Sequence, residues 1–406
     1  MKLFYKSLAI STLLSVAPIE ATAESLDSSA LAECRKRIRA AVADGSIAGA
    51  AHLVIHRGAV VHLDAVGFAD IETKQPFKED TIVRIYSMTK PITSVTAMTL
   101  HEAGKFDLDD LVAKFIPAFA KVKVFSGGRG ATDLAAPKRP VTVRDVFRHT
   151  TGYGYGAGKA LAAHEREGMR YHGPGGMWPP DMSVEKAAEA MARIPLLHQP
   201  GERFTYGYST DLLGRLIEVW SGKPLDVYMR ETVLQPLEMK DTGFSVPKEK
   251  RPRFASCHTT HDGRLAIVDK NTSSRFNDGF EFLSGGGGLV STIQDYGNFC
   301  LMLVNGGEFK GRRILKQSSI DEVFSNQLKE VPGAFQFGLG FAIAKVRIGS
   351  GDGAREATQY SWGGYASTDF RIVPEEGLIQ VFLRQHVPSR HGFGSKLFPL
   401  VYQGVR

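Results

Sequence analysis

The stretch Ile85-Tyr86-Ser87-Met88-Thr89-Lys90-Pro91-Ile92-Thr93 sets a hydroxyl and an amine three residues apart, with a proline directly behind them. Proline is tolerated only in the first turn or so of a helix, where backbone N–H groups have no intrahelical partner, so a helix begins close to Ser87. It is expected to run to about Ala103, with Gly104 closing it. Residues three apart on a helix share a face, so Lys90 can reach Ser87. A serine hydroxyl is a poor nucleophile at neutral pH and needs a base to take its proton, which makes Ser87 a candidate nucleophile and Lys90 its partner. The positive end of the helix dipole would favour the negative charge of an acyl-transfer intermediate there.

The Ser-x-x-Lys spacing alone does not single out Ser87, because Ser245-Val246-Pro247-Lys248 repeats it. That second copy lies in a proline-rich, basic stretch with no apolar helical run after it, and is set aside. A Gly-x-Ser-x-Gly nucleophile elbow is absent: Gly207-Tyr208-Ser209-Thr210-Asp211 fails at its last position.

Outward from Ser87, residues 50–55 and 60–66 are short apolar runs joined by His56-Arg57-Gly58, the pattern of a β-hairpin. Residues 368–373 and 378–383 flank Pro374-Glu375-Glu376-Gly377 and predict a second. Between them the periodicity is helical over 142–148, 184–194, 211–220, 225–237 and 292–304. The expected fold is α/β (α+β): an antiparallel sheet formed by both chain ends and flanked by helices, with a mostly helical subdomain inserted. The division is 24–110 with 275–406 for the sheet domain and 111–274 for the helical one. Long glycine-rich loops at 126–130, 152–156 and 173–180 are the natural walls or lids of a site.

Composition narrows the partners. The net charge of +7 over 406 residues comes from scattered Lys and Arg without aromatic interleaving, so no nucleic-acid partner is expected. Residues 1–23 have a basic start, a short apolar run and Ala21-Thr22-Ala23, which predicts a cleaved signal peptide and a secreted or periplasmic protein. That run is too short to span ~30 Å of hydrocarbon, so stable membrane insertion is not expected. Three widely spaced cysteines, Cys34, Cys257 and Cys300, do not make a disulfide framework, although one bridge stays open. His101-Glu102 and His164-Glu165 each lack the second histidine of a zinc motif, and no metal or other cofactor is expected.

The surroundings of Ser87, with Glu102-Ala103-Gly104-Lys105 and Leu108-Asp109-Asp110 after it, closely resemble the active-serine region of class C β-lactamase-like proteins. Val141-Thr142-Val143-Arg144 to His149-Thr150-Thr151-Gly152, Pro200-Gly201-Glu202-Arg203-Phe204-Thr205-Tyr206, and Pro236-Leu237-Glu238-Met239 to Gly243-Phe244 also fit. The chain is thereby similar to the serine β-lactamase and penicillin-recognising family over nearly all of its mature length. That resemblance implies a second catalytic element, a tyrosine in Tyr-x-Asn. By surroundings it is Tyr206, in Tyr206-Gly207-Tyr208; a literal match, Tyr296-Gly297-Asn298, sits inside a helical pattern, where an aromatic usually packs into the core.

The family's Lys-Thr-Gly is replaced by Trp362-Gly363-Gly364 before Tyr365, which looks like the variant of the β-lactamase-like family VIII carboxylesterases. The resemblance implies an oxyanion hole from the N–H groups of Ser87 and Tyr365. It also implies that the groups gripping a β-lactam carboxylate and amide are missing. The expected activity is therefore that of a serine hydrolase acting on a small-molecule ester, with Tyr153, Tyr155, Trp178 and Tyr208 as apolar walls. A β-lactamase or D-amino-acid peptidase is the alternative within enzymes, and a non-catalytic cell-wall binding module the alternative outside them.

Overall fold

The computed structural model describes residues 26–126, 133–156, 158–169, 182–279, 281–389 and 392–406. Both expected hairpins form. Strands β1 (Gly49–His56) and β2 (Ala59–Asp70) pair antiparallel through a turn in which Arg57 and Gly58 both take positive φ, as a two-residue hairpin turn requires. They belong to a seven-stranded sheet with β3 (Gln75–Pro76), β4 (Ala342–Ile348), β5 (Arg355–Gly363), β6 (Asp369–Val373) and β7 (Leu378–Arg384). Its order is β4-β5-β6-β7-β1-β2-β3, so β7 from the C-terminal part lies beside β1 from the N-terminal part, antiparallel. The sheet is built from both chain ends.

Every residue of β1 and β7 is buried, because both sheet faces are covered. Ala51, Leu53 and Ile55 face the main core, whereas Ala50 and Val54 face a second core under the terminal helices Ser28–Ala43 and Gly394–Gln403. Residues 111–274 carry most of the remaining described helices, among them Val143–Phe147, Val184–Arg193 and Ser209–Ser221. They also hold an unanticipated hairpin, Cys257–His261 with Arg264–Asp269. The 225–237 pattern is interrupted: the helix Leu225–Met229 continues as a π turn, Arg230–Leu234.

The helix after Ser87 spans Thr89–Glu102 and is preceded by a 3-10 turn, Tyr86–Met88. Pro91 falls in its first turn, Ala103 caps it, and Gly104 follows at φ 66°. Eleven of its fourteen residues are buried, so it is a central helix covered on most of its circumference. The loop that faces it, 149–155, is braced from below. Thr142 and Asp145 form a capping box, and Asp145 accepts two hydrogen bonds from Arg139, one from Arg148 and one from the Thr150 hydroxyl.

Candidate active site

Ser87 is half-buried in its 3-10 turn, and the preceding residue, Tyr86, holds φ at 43°. A non-glycine residue in that region stores of order 1–3 kcal/mol of strain, which surrounding contacts must hold. They do so here: the Tyr86 ring is fully buried and meets the Tyr365 ring edge-on at 5.8 Å.

Lys90 is 1% exposed, and its Nζ lies 3.5 Å from Ser87 Oγ. The same nitrogen is 2.6 Å from the Gly286 carbonyl oxygen and 3.1 Å from the Tyr155 hydroxyl. The Gly286 carbonyl and the Tyr155 hydroxyl accept two of its N–H donors, and these two fixed partners aim the nitrogen at Ser87 Oγ. Gly286 is itself pinned: its N–H donates to Asp211 Oδ1 at 3.0 Å, and the Ser284 hydroxyl donates to the same oxygen. A Cβ on Gly286 would lie 2.5 Å from Asp211 Oδ2, so a side chain there would push the carboxyl group away. Burial raises the Asp211 carboxyl above its usual range, with the Lys90 charge working against that rise.

Tyr206 stands on the loop before the helix Ser209–Ser221. Lys90 Nζ sits 4.6 Å from its ring centroid, and its Oη accepts the indole N–H of Trp362 at 3.3 Å. The next residue, Gly207, crosses the Tyr153–Gly154 backbone so closely that a Cβ would lie 2.4 Å from the Tyr153 carbonyl oxygen. Behind Tyr206, the His149 ring lies 5.0 Å away; burial, then the Lys90 charge, holds that imidazole well below its usual pKa. Tyr296 is elsewhere: fully buried, it donates its hydroxyl to the Met88 carbonyl at 3.0 Å and belongs to the core.

The Trp362-Gly363-Gly364 element ends β5. A Cβ at Gly364 would lie 2.3 Å from the Ile85 carbonyl oxygen, so the missing side chain lets this strand end close on the segment carrying Ser87. Ser87, Tyr206 and residues 361–365 line one cleft of about 390 Å³. Asp369 and Arg371 line it too. The Arg371 guanidinium is 3.6 Å from the Asp369 carboxylate and 4.3 Å from the centroid of the Phe398 ring. Burial pushes the Asp369 carboxyl up to about 7, against the pull of Arg371.

The structure corrects two expected walls. Tyr153 is 1% exposed and packs edge-on against Phe119, and burial raises its phenol far above the ordinary value. Tyr208 is fully buried and donates its hydroxyl to the Met169 carbonyl at 3.0 Å. Both rings fill the core of the helical region rather than the cleft. Tyr155 is half-buried, with its hydroxyl 3.1 Å from Lys90 Nζ, and Trp178 lies outside the described residues, as do residues 1–23 of the expected signal peptide. Ser245 and Lys248 are solvent-exposed, with a 3-10 turn after them instead of a helix. The three cysteines are buried and unbridged, and among the described residues no group of His, Cys, Asp and Glu is placed to hold a metal.

Sequence reasoning missed Gly286, Asp211, Arg371 and the polar role of Tyr155. The run Ser284-Gly285-Gly286-Gly287-Gly288 was the available signal for the first, since four consecutive glycines mark a close backbone approach.

Comparison with known proteins follows the same outline. A family model described as Beta-lactamase matches residues 34–395. The Mycobacterium tuberculosis protein Rv1367c is 31% identical over 85% of this chain and 87% of its own. Esterase EstB of Burkholderia gladioli is 31% identical over 66% of this chain and 63% of its own. Among solved structures, EstCE1, a hydrolase with promiscuous acyltransferase activity, superposes with a TM-score of 0.76 at 22% identity, covering 92% of this chain and 99% of its own.

Proposed function

The chain belongs to the beta-lactamase family of serine hydrolases, and on that premise we propose that it cleaves neutral carboxylic esters through an acyl-enzyme on Ser87. The carrying observation is the convergence of Ser87, Lys90 and Tyr206 at the glycine-lined end of β5. Lys90 and Tyr206 together take the Ser87 proton. The Ser87 Oγ–acyl bond forms, and negative charge on the carbonyl oxygen is met by the N–H groups of Ser87 and Tyr365. The carbon–alkoxy bond then breaks, and the leaving oxygen receives the proton that Ser87 gave up. Water attacks the acyl carbon, releases the acid and returns the proton to Ser87 Oγ.

Two observations favour a neutral ester over an anionic lactam. Lys90 is committed to internal acceptors, and Arg371, the cation that does line the cleft, is already paired with Asp369. Lys90 is not presented to a substrate carboxylate, and the Arg371 guanidinium is shared between Asp369 and the face of the Phe398 ring. The third position of the family's Tyr-x-Asn is Tyr208, turned into the core, so no side-chain amide is offered there either. Hydrolysis of p-nitrophenyl butyrate set beside nitrocefin tests the reading. Rapid ester turnover with little nitrocefin opening is expected; fast nitrocefin opening without ester turnover overturns it.

A further inference from the structure

Phe335 is a phenylalanine left 47% exposed, and an unbroken run of rings connects it to the cleft. Its ring meets Phe204 at 4.9 Å and Phe337 at 5.8 Å, both edge-on. Phe337 in turn meets Trp362 at 5.3 Å, and Phe204 lies parallel to Tyr206, 9° apart in plane with centroids at 6.5 Å. Tyr206 and Trp362 close the circuit at 5.4 Å. Phe337 is 1% exposed and forms a small core of its own with Leu328 and Val331, separate from the two main cores. The backbone there is held as well, since Asn326 Oδ1 accepts the N–H groups of Leu328 and Phe337. Phe335 is thus mounted on a fixed base with one side in water. A single exposed phenylalanine requires no explanation, but one joined through the half-buried Phe204 to the half-buried Tyr206 extends the aromatic side of the cleft outward.

Resting on the ester-hydrolase reading, we propose that this aromatic shelf holds the alcohol half of the substrate, and that preferred substrates are esters of aryl or other bulky apolar alcohols. The side is set by proton transfer. When the carbon–alkoxy bond breaks, the alkoxide needs a proton, and Tyr206 is the phenol that shares its delivery, so the alcohol leaves on the Tyr206 side. The shelf begins at the Tyr206 ring. The acyl half stays bonded to Ser87 and does not use it.

Phe335→Ala tests this, since its ring is about half in solvent and outside the catalytic machinery. The substrates are 2-naphthyl acetate, ethyl acetate and ethyl octanoate; the first two give the same acetyl-enzyme. For 2-naphthyl acetate kcat/KM is expected to fall about tenfold, the scale of one lost aromatic contact, with the two ethyl esters changed less than about twofold. An equal loss on all three esters, a loss confined to ethyl octanoate, or no loss at all overturns the alcohol-side assignment. A wild type that turns over none of the three overturns the ester-hydrolase reading, and this one with it.

Discussion

Trp362 donates its indole N–H to the Tyr206 phenol oxygen across 3.3 Å, which ties the end of β5 to the loop ahead of the helix Ser209–Ser221. The bond fixes where that phenol sits relative to Ser87 without involving either residue's bulk. Trp362→Phe keeps most of the ring and removes the donor. A net hydrogen bond of about 1 kcal/mol corresponds to a fall in kcat/KM of roughly fivefold on p-nitrophenyl butyrate. Steady-state kinetics check it, and a variant as active as the wild type shows that the bond does not position Tyr206.

Tyr155→Phe takes one of the two N–H acceptors that hold Lys90 and leaves the Gly286 carbonyl in place. A buried donor without a partner costs about 1–3 kcal/mol, so kcat is expected to drop about 5- to 150-fold with the fold intact. Circular dichroism and kcat measured on one preparation check both halves. An unchanged kcat removes the Tyr155 hydroxyl from the account.

The Asp369 carboxyl, pushed up to about 7 by burial from an ordinary value of 3.8, makes stability depend on pH. Between those two values the folded protein holds a proton that the unfolded chain has released. Stability conferred by the neutral carboxyl is therefore present at low pH, declines as pH rises toward about 7, and is flat above. Asp369→Asn is neutral throughout. Its gain in Tm over the wild type is expected to be larger at pH 8 than at pH 5, by roughly 3 °C. Thermal scans at the two pH values decide it; equal gains contradict a raised carboxyl.

How much of this was legible in the sequence follows from how local each signal is. Ser87, Lys90 and Pro91 carry their geometry in five consecutive residues, and the structure places the helix start within two residues of Ser87. The hairpins at β1–β2 and β6–β7 were legible because short apolar runs meet turn residues. Tyr206 was separable from Tyr296 because one precedes a helix and the other repeats inside it. Tyr153, Tyr155 and Tyr208 lie in or beside glycine-rich loops, which have no period from which to read the buried side; two of them turned inward.

The remaining parts of the site come from pairings that sequence does not encode locally. The register that sets Asp369 opposite Gly363, and Arg371 opposite Ser361, brings that ion pair to the cleft. The acceptor nearest Lys90 is the backbone carbonyl of Gly286, 196 residues away, and a carbonyl has no residue signature.

The central claim is that Ser87 alone is acylated. Treating the protein with a fluorophosphonate probe and mapping the adduct by peptide mass spectrometry tests it most directly. One probe per chain on Ser87, with no labelling and no ester turnover in Ser87→Ala, is the predicted result. Label on Ser245 or Ser209, or a Ser87→Ala variant that still hydrolyses p-nitrophenyl butyrate, contradicts it.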